Sequence, residues 1–305
     1  MRVDNRLISL TLALTGSLSA QGIGAKALSL NYIYGVIDLE AHKLYLHQDS
    51  FPHQEGGPQV KSLDLPISSR FSVARFGFVN ATESLLVYDK VLRVIDNESM
   101  QMRVVPDYSD VSNIVIHAGI DHIFLINANS LLRVSLKSFK SETLIDIADV
   151  LQKMSAWYEV NTQEDFYAKT DYYQIDFDED AGVLYLADSH GRLFSYNGKR
   201  KELAFLVKGS SPQIVHSEDG MELYCYNKEA VFRFRPDKSL NMNPLIKGDI
   251  ARYRVQSPEL AYVVFVKTSG LLKRPYLSGF SIFRNGELTE VEKNEVPNDV
   301  FFIGN

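Results

Sequence analysis

Several Asp, Asn, His and Gln residues stand just before polar turns, at matching places in successive segments of the chain. They share the end of a predicted innermost strand: Asp38, Asn80, His117, Asp176, His216 and Gln256. His117 and His216, with Asp176 or Asp38, would offer a divalent metal ion imidazole and carboxylate, its ordinary ligands. The alternative is that these residues cap their own turns. A metal site therefore stays one of two interpretations.

The segment DFDEDAG (176–182) is similar to the start of a calcium-binding loop. Asp176, Asp178 and Asp180 have the spacing D-x-D-x-D. Gly182 comes one residue late, and the twelfth position is Ala187 in place of Glu. A solvated acidic turn explains the same pattern. Beyond such a divalent metal or calcium ion, no cofactor is predicted.

No pattern for covalent catalysis is present, so no catalytic residue is predicted. The sequence lacks a G-x-S-x-G elbow, an H-E-x-x-H pair and a phosphate-binding glycine loop. Cys225 lies within a run of apolar residues and is interpreted as a small buried side chain. A single cysteine also excludes a disulfide framework.

The composition is that of a folded, acidic protein. Of 305 residues, 45% are hydrophobic and 11% aromatic, which excludes a disordered chain. The net charge of −6 argues against nucleic-acid binding as the main function. The sequence has no apolar run of about 18 residues, so no membrane span is predicted.

A repeated unit of short apolar runs and polar turns organises the chain. Runs of about five residues rich in Val, Ile, Leu, Tyr and Phe are typical of strands joined by tight turns. The centres of the strongest strands are about 40 residues apart, apart from one longer step: Tyr45, Leu86, Phe124, Tyr185, Tyr224 and Val264. This period predicts four-stranded blades of a β-propeller.

A seventh blade is predicted from the two chain ends. The segment EVPNDVFFIGN (295–305) resembles a first strand, and NRLISLTLAL (5–14) alternates apolar and polar residues around Ile8. Together they predict a ring closed by strands from both termini. The competing interpretation of residues 1–22 is a secretory signal peptide, with Arg2 and Arg6 before an apolar stretch.

One unit carries a family resemblance. LYLADSHGRLFSYN (184–197) resembles an NHL-type repeat, with an Asp before a Gly-containing turn and an Arg that opens the next strand. Four units have this arginine at similar places: Arg93, Arg133, Arg192 and Arg233. The resemblance implies a propeller. Such propellers include enzymes, protein-binding modules and RNA-binding modules, so it implies no single function.

Three segments exceed the repeat: 47–60, 147–171 and 267–279. All three are expected on one face, where loops on a rigid scaffold commonly bind ligands. Helical spacing predicts a helix over 148–159, followed by several aromatic residues. Either this helix only packs on the propeller, or its aromatic residues form an exposed patch. The predicted binding residues are Phe51, His53, Trp157, Tyr158, Phe166, Tyr167, Lys273, Arg274 and Tyr276.

The sequence thus predicts one domain over 1–305, an all-β seven-bladed propeller with a helical insertion at 147–171. The leading hypothesis is a non-catalytic module that binds a protein or peptide with a basic surface, and that could hold an enzyme or toxin inactive. The alternative is a metal-assisted hydrolase or lyase at the channel mouth, and an RNA-binding module ranks third. A cytoplasmic monomer is expected, or a secreted or periplasmic protein if residues 1–20 are a signal peptide.

Overall fold

The computed structural model describes residues 30–51, 59–66, 74–117, 120–170, 173–217, 220–236, 239–269, 274–292 and 295–303. In these residues the chain forms six four-stranded antiparallel sheets and one α-helix. Successive sheets contact one another around a ring, at five of the six boundaries through their innermost strands, and the last sheet contacts the first. The protein is therefore a β-propeller.

Each blade is one sheet, whose first strand is the innermost and whose fourth strand is the outermost. Blade 1 consists of β24 (Asp299–Ile303), β1 (Leu30–Asp38), β2 (Lys43–Phe51) and β3 (Gln59–Asp64). Blade 2 consists of β4 (Arg75–Phe78), β5 (Glu83–Tyr88), β6 (Val91–Asp96) and β7 (Gln101–Val104). Blade 3 consists of β8 (Val111–Val115), β9 (His122–Asn127), β10 (Ser130–Ser135) and β11 (Ser141–Asp146).

The other three blades follow the same plan, each as one continuous meander. Blade 4 consists of β12 (Gln174–Asp178), β13 (Val183–Ala187), β14 (Arg192–Asn197) and β15 (Glu202–Lys208). Blade 5 consists of β16 (Ser210–Ser217), β17 (Gly220–Tyr226), β18 (Ala230–Arg235) and β19 (Ser239–Lys247). Blade 6 consists of β20 (Ile250–Ser257), β21 (Leu260–Ser269), β22 (Arg274–Arg284) and β23 (Glu287–Glu292).

Burial within a blade explains the composition of its strands. The second strand β5 is buried at five of its six positions, because neighbouring sheets cover both of its faces. The outermost strand β7 is exposed at three of four positions and contains Gln and Arg. Between blades 2 and 3, Leu85 and Val87 pack with Ile123 and Leu125 in one hydrophobic cluster.

Side chains of the innermost strands also join neighbouring blades by hydrogen bonds. The Phe78 N–H donates to Asp299 Oδ2 at 2.9 Å, and the Ile214 N–H donates to Asp176 Oδ2 at 2.6 Å. The Val255 N–H likewise donates to Gln213 Oε1 at 2.8 Å. Each of these side chains satisfies a backbone donor that the sheet of the next blade leaves free.

The prediction of seven blades is wrong for the described residues, which form six. The C-terminal strand β24 pairs with β1, and Tyr34 lies opposite Val300. Tyr45, one of the six predicted strand centres, lies on β2, which is the third strand of its blade. The C-terminal segment therefore completes blade 1 as its first strand and is not available to a seventh blade. The segment around Ile8, and the signal-peptide alternative, lie outside the described residues.

The described ends of the segment 47–60 lie toward the opposite face of the ring from the one predicted. In a four-stranded blade, the turn between second and third strands and the link to the next blade share one end of the sheet. The turn between third and fourth strands lies at the opposite end. The strand β2 ends at Phe51 and β3 begins at Gln59, and these are the third and the fourth strand of blade 1. The prediction that all three long segments share a face is therefore wrong for the described residues of this segment.

The predicted helix is confirmed as α1 (Ile147–Asn161), which links blade 3 to blade 4. The Asp146 side chain accepts a hydrogen bond from the Ala148 N–H at 2.9 Å and caps the helix. An apolar stripe faces the propeller: Ile147, Val150, Met154 and Tyr158. Among the described residues, no helix has the length and apolar character needed to cross a membrane.

Candidate functional site

The helix α1 and the turn between β13 and β14 lie at the same end of the propeller and hold each other in place. Tyr158 is buried to 2% exposure, and its hydroxyl donates to the Asp188 carboxylate. Arg192 Nη1 donates to the Tyr158 hydroxyl oxygen at 2.9 Å, and its guanidinium lies 5.0 Å from the centre of the same ring. Burial, followed by the neighbouring Asp188 charge, raises the pKa of Tyr158.

The segment after the helix is held against the same turn by charged groups. Glu164 Oε2 accepts from Arg192 Nη1 at 2.8 Å and lies 3.0 Å from His190 Nδ1. Arg192 is the main reason that the pKa of Glu164 is lowered, and Glu164 in turn raises the pKa of Arg192. Arg192 therefore joins α1, the segment that follows it and blade 4.

Aromatic rings form a continuous chain across this end of blade 4. Phe205 stacks on Trp157 at 5.2 Å between ring centres, and Trp157 meets Tyr158 at 5.6 Å. Phe166 continues the chain at 5.3 Å from Tyr158. Trp157 and Phe166 are partly buried against the hydrophobic cluster that contains Tyr158. The helix thus packs on the propeller, as one of the two interpretations predicts.

The ends of this aromatic chain are nevertheless exposed. Tyr167 stacks on His190 and is 54% exposed, and Phe205 is 37% exposed. Val160, one helical turn after Trp157, is 82% exposed. We call Trp157, Val160, Tyr167 and Phe205 the aromatic surface.

Trp157 and Tyr167 were predicted from the sequence as binding residues, whereas Val160 and Phe205 were not. Val160 could have been found from its place one helical turn after Trp157. Phe205 lies on the outermost strand β15 and is the cross-strand partner of the buried Phe194. Its approach to Trp157 depends on how α1 crosses blade 4, which no local pattern reports.

The other predicted binding residues do not join the aromatic surface. Phe51 ends β2 and packs into the cluster between blades 1 and 6. Tyr276 on β22 of blade 6 is 44% exposed, and Arg274 begins the same strand. In a ring of six, blades 6 and 1 lie opposite blades 3 and 4. His53 and Lys273 lie outside the described residues.

A cavity of about 580 Å³ occupies the central channel. Four of the six residues predicted at the ends of innermost strands line it: His117, Asp176, His216 and Gln256. Asp38 and Asn80 were expected there and are instead turn caps. Asp38 accepts from the Ala41 N–H at 2.8 Å, and Asn80 accepts from the Thr82 N–H at 2.8 Å. Asp38 ends a second strand, so it lies at the opposite end of its blade from the predicted position.

His117, which is partly buried, pairs with the buried Asp176 in the channel wall. His117 Nε2 lies 2.6 Å from Asp176 Oδ1, and Asp176 Oδ2 accepts from the Ile214 N–H. Burial and the Arg254 charge act to lower the pKa of His117, but the Asp176 carboxylate outweighs them and the pKa is raised. Both groups therefore serve the contact between blades 3, 4 and 5.

His216 is brought together with other carboxylates. Ligand atoms of Asp178, Asp180 and His216 all lie within 4.8 Å of one another. Asp176, the first residue of the D-x-D-x-D pattern, is engaged with His117 as described. The pattern therefore divides into a structural aspartate and two aspartates that converge with a histidine of the next blade.

Cys225 is confirmed as a buried side chain. It is 0% exposed, and burial raises the pKa of its thiol to about 12. The thiolate, which is the nucleophilic form, is therefore scarce at neutral pH.

No protein-family model matches this sequence, and no curated protein matches it significantly. Solved structures match at the level of fold. A chain of a nidogen/laminin complex is 9% identical over 90% of this chain and 98% of that one, with a TM-score of 0.52. An extracellular domain of a hybrid two-component system from B. thetaiotaomicron is 11% identical over 88% of this chain, with a TM-score of 0.46. The match spans 36% of that protein's chain.

An oligogalacturonate lyase in complex with manganese is 13% identical, over 87% of this chain and 78% of that one, with a TM-score of 0.44. At these identities, the likenesses concern the backbone fold and not the chemistry of any site. The chain is similar to β-propellers of diverse function.

Proposed function

We propose that this protein is a non-catalytic interaction module that binds a protein or peptide through the aromatic surface. The observation that carries the proposal is the chain of rings from Phe205 through Trp157 and Tyr158, with exposed apolar side chains along it. Tyr and Trp are enriched among the anchors of interfaces because they bury much area and lose little conformational freedom. An exposed group of such residues favours a binding role.

The aromatic surface is held rigidly before any partner arrives. Tyr158 is fixed by Asp188 and Arg192, and Glu164 joins the following segment to the same arginine. Ordering side chains on binding costs about 0.5–1.5 kcal/mol for each flexible group. A surface that is already ordered avoids part of this cost.

The charge beside the aromatic surface indicates the chemistry of the partner. Residues 159–165 carry three carboxylates and no basic side chain. Glu159 and Asp165 are exposed, while Glu164 is engaged by Arg192. Opposite charges across an interface speed association and select the partner. We therefore expect an apolar or aromatic anchor flanked by Lys or Arg.

The nidogen/laminin structure is that of a complex between proteins, which is consistent with a propeller in this role. The proposal itself depends on the aromatic surface of this chain. The alternative, a metal-assisted hydrolase or lyase at the channel mouth, is favoured by one observation, the convergence of Asp178, Asp180 and His216.

Affinity capture from the source cell tests the proposal when it compares point variants. Val160→Glu and Phe205→Glu place a charge on the aromatic surface without removing a fully buried side chain. The matched control is Val104→Glu, which changes a 58% exposed valine on the outermost strand of blade 2. Replacing the whole helix is unsuitable, because its apolar stripe belongs to the core.

We expect one protein to be captured in near-stoichiometric amounts by the wild type and by Val104→Glu. Loss of an interface anchor costs about 2 kcal/mol or more, which is about a thirtyfold loss of affinity. Capture by Val160→Glu and Phe205→Glu should fall accordingly, with unchanged circular dichroism. Equal capture by all four proteins would refute the aromatic surface as the binding site.

A further inference from the structure

Two aspartates and a histidine from neighbouring blades converge at the channel mouth opposite α1. We propose that Asp178, Asp180 and His216 bind a divalent transition-metal ion such as Zn²⁺ or Mn²⁺. Their ligand atoms lie within 4.8 Å of one another. This site is separate from the aromatic surface, which lies at the other end of the propeller.

Local structure explains why these three side chains meet. Asp178 ends the innermost strand β12 and accepts a hydrogen bond from the Ala181 N–H at 3.1 Å, which fixes the following turn. Gly182 closes that turn with a φ of +67°, a conformation that favours glycine. His216 is near the end of β16, the innermost strand of the next blade. Parallel placement of the two strands brings their ends together.

The environment of Asp178 is the second, independent observation. Asp178 is 3% exposed, yet in the described part of the chain its carboxylate accepts one hydrogen bond and joins no ion pair. A buried carboxylate needs several donors or a nearby cation to offset its lost hydration. Asp180 adds a second negative charge beside it. A bound cation would supply the missing positive charge.

The other buried carboxylates among the described residues have such partners. Asp176 pairs with His117, Asp299 with the Arg254 guanidinium, and Glu222 with Arg235 at 3.2 Å. Asp188 accepts the Tyr158 hydroxyl and two backbone N–H groups. Asp178 has fewer partners than these carboxylates, and a bound cation would compensate its buried charge.

The ligand set indicates the class of ion. Ca²⁺ takes six to eight oxygen ligands, whereas one imidazole with carboxylates suits Zn²⁺ or Mn²⁺. Ligands about 2.0–2.2 Å from an ion lie up to about 4.4 Å apart. Asp180 and His216 are exposed, so small side-chain movements bring them to that spacing. Both also line the channel cavity, where water or an oxygen of a bound molecule could complete the coordination.

Calorimetric titration of the metal-free full-length protein with ZnCl₂, MnCl₂ and CaCl₂ tests the proposal. Asp180→Asn and His216→Ala each remove one ligand from an exposed position, so the fold should persist. The matched control is Glu179→Gln, which removes a charge from the same turn. Glu179 is engaged by His122 at 2.8 Å and Arg133 at 3.1 Å and is no part of the proposed site.

We expect one ion to bind per chain of the wild type. Loss of a residue that only supports a ligand costs about 10–100-fold in affinity, so loss of a ligand should cost at least tenfold. Glu179→Gln should lose clearly less affinity than either ligand variant, because Glu179 is engaged by His122 and Arg133. Absence of binding, an equal loss in Glu179→Gln, or tighter binding of Ca²⁺ than of either metal would overturn the proposal.

Discussion

Replacing Asp299 by alanine tests how the ring of blades is closed. Asp299 begins the C-terminal strand β24, which completes blade 1, and it is 3% exposed. Its Oδ2 accepts from the Phe78 N–H of blade 2 at 2.9 Å and from the Arg254 guanidinium of blade 6. One carboxylate therefore joins three blades at the point where the last described strand, β24, pairs with the first, β1.

The expected loss follows from these contacts. Each hydrogen bond to a charged group contributes about 1.5–3 kcal/mol, and removing one partner of a buried ion pair costs about 3–5 kcal/mol. The Arg254 side chain is 22% exposed and keeps a hydrogen bond to the Ile116 carbonyl at 3.1 Å. Because Arg254 is partly solvated, we expect the lower part of that range, about 3–4 kcal/mol.

Urea unfolding at pH 7, followed by circular dichroism, measures this loss. Fluorescence of Trp157, the single tryptophan, gives a second signal from the opposite side of the ring. If the ring unfolds as one unit, Asp299→Ala shifts both signals equally. The control is Asp64→Ala in the same blade, whose side chain is 87% exposed. Its surface ion pair with Lys43 predicts a change within about 0.5 kcal/mol. An Asp299→Ala protein as stable as this control would refute the proposed closure.

Three further predictions concern single side chains. Tyr158→Phe leaves the buried Asp188 carboxylate one donor short and should lower the free energy of unfolding by about 1–3 kcal/mol; a change below about 0.5 kcal/mol in urea unfolding would contradict this role. Asp176 raises the pKa of His117 above its ordinary 6.5. The stability that His117 adds relative to His117→Gln is therefore complete below pH 6.5 and is lost as the pH rises through the folded pKa; a difference that grows with pH would contradict it. Cys225 is buried with a raised thiol pKa, so a thiol reagent at pH 8 should modify it in urea and not in the native protein.

The propeller itself was predictable because its strands are covered on both faces. Second strands such as β5 and β9 are nearly continuous apolar runs, separated by polar turns at an even period. That signal is local and does not depend on long-range contacts. The helix was predictable for the same reason, since its apolar stripe has helical spacing.

The apolar runs did not reveal which strand of blade 1 is the first, second, third or fourth of its sheet. Its first strand comes from residues 299–303, more than 260 positions away from β1, and β1 and β2 both look like central strands. Turns alternate between the two ends of a blade. If the strand order is shifted by one, each turn of that blade is assigned to the wrong face of the ring. This shift accounts for the seventh blade, for the placement of segment 47–60 and for Asp38 in the predicted channel.

The candidate sites were predictable only in part, because their members come from different blades. Arg192 and Asp188 stood out as a repeat signature, but their contact with Tyr158 depends on the docking of α1. His216 meets Asp178 and Asp180 across a blade boundary, which spacing along the chain does not show. In both cases the sequence indicated which residue types could take part in a site, but not which side chains they would contact.

Site-specific photo-crosslinking in the source cell tests directly whether a partner docks on the aromatic surface. A photoreactive phenylalanine would replace Val160, which is 82% exposed, or Val104, which is 58% exposed on blade 2. We expect one discrete adduct from position 160, to a segment with an apolar or aromatic residue flanked by Lys or Arg, and no such adduct from position 104. The same adducts from both positions, or none from position 160, would contradict it.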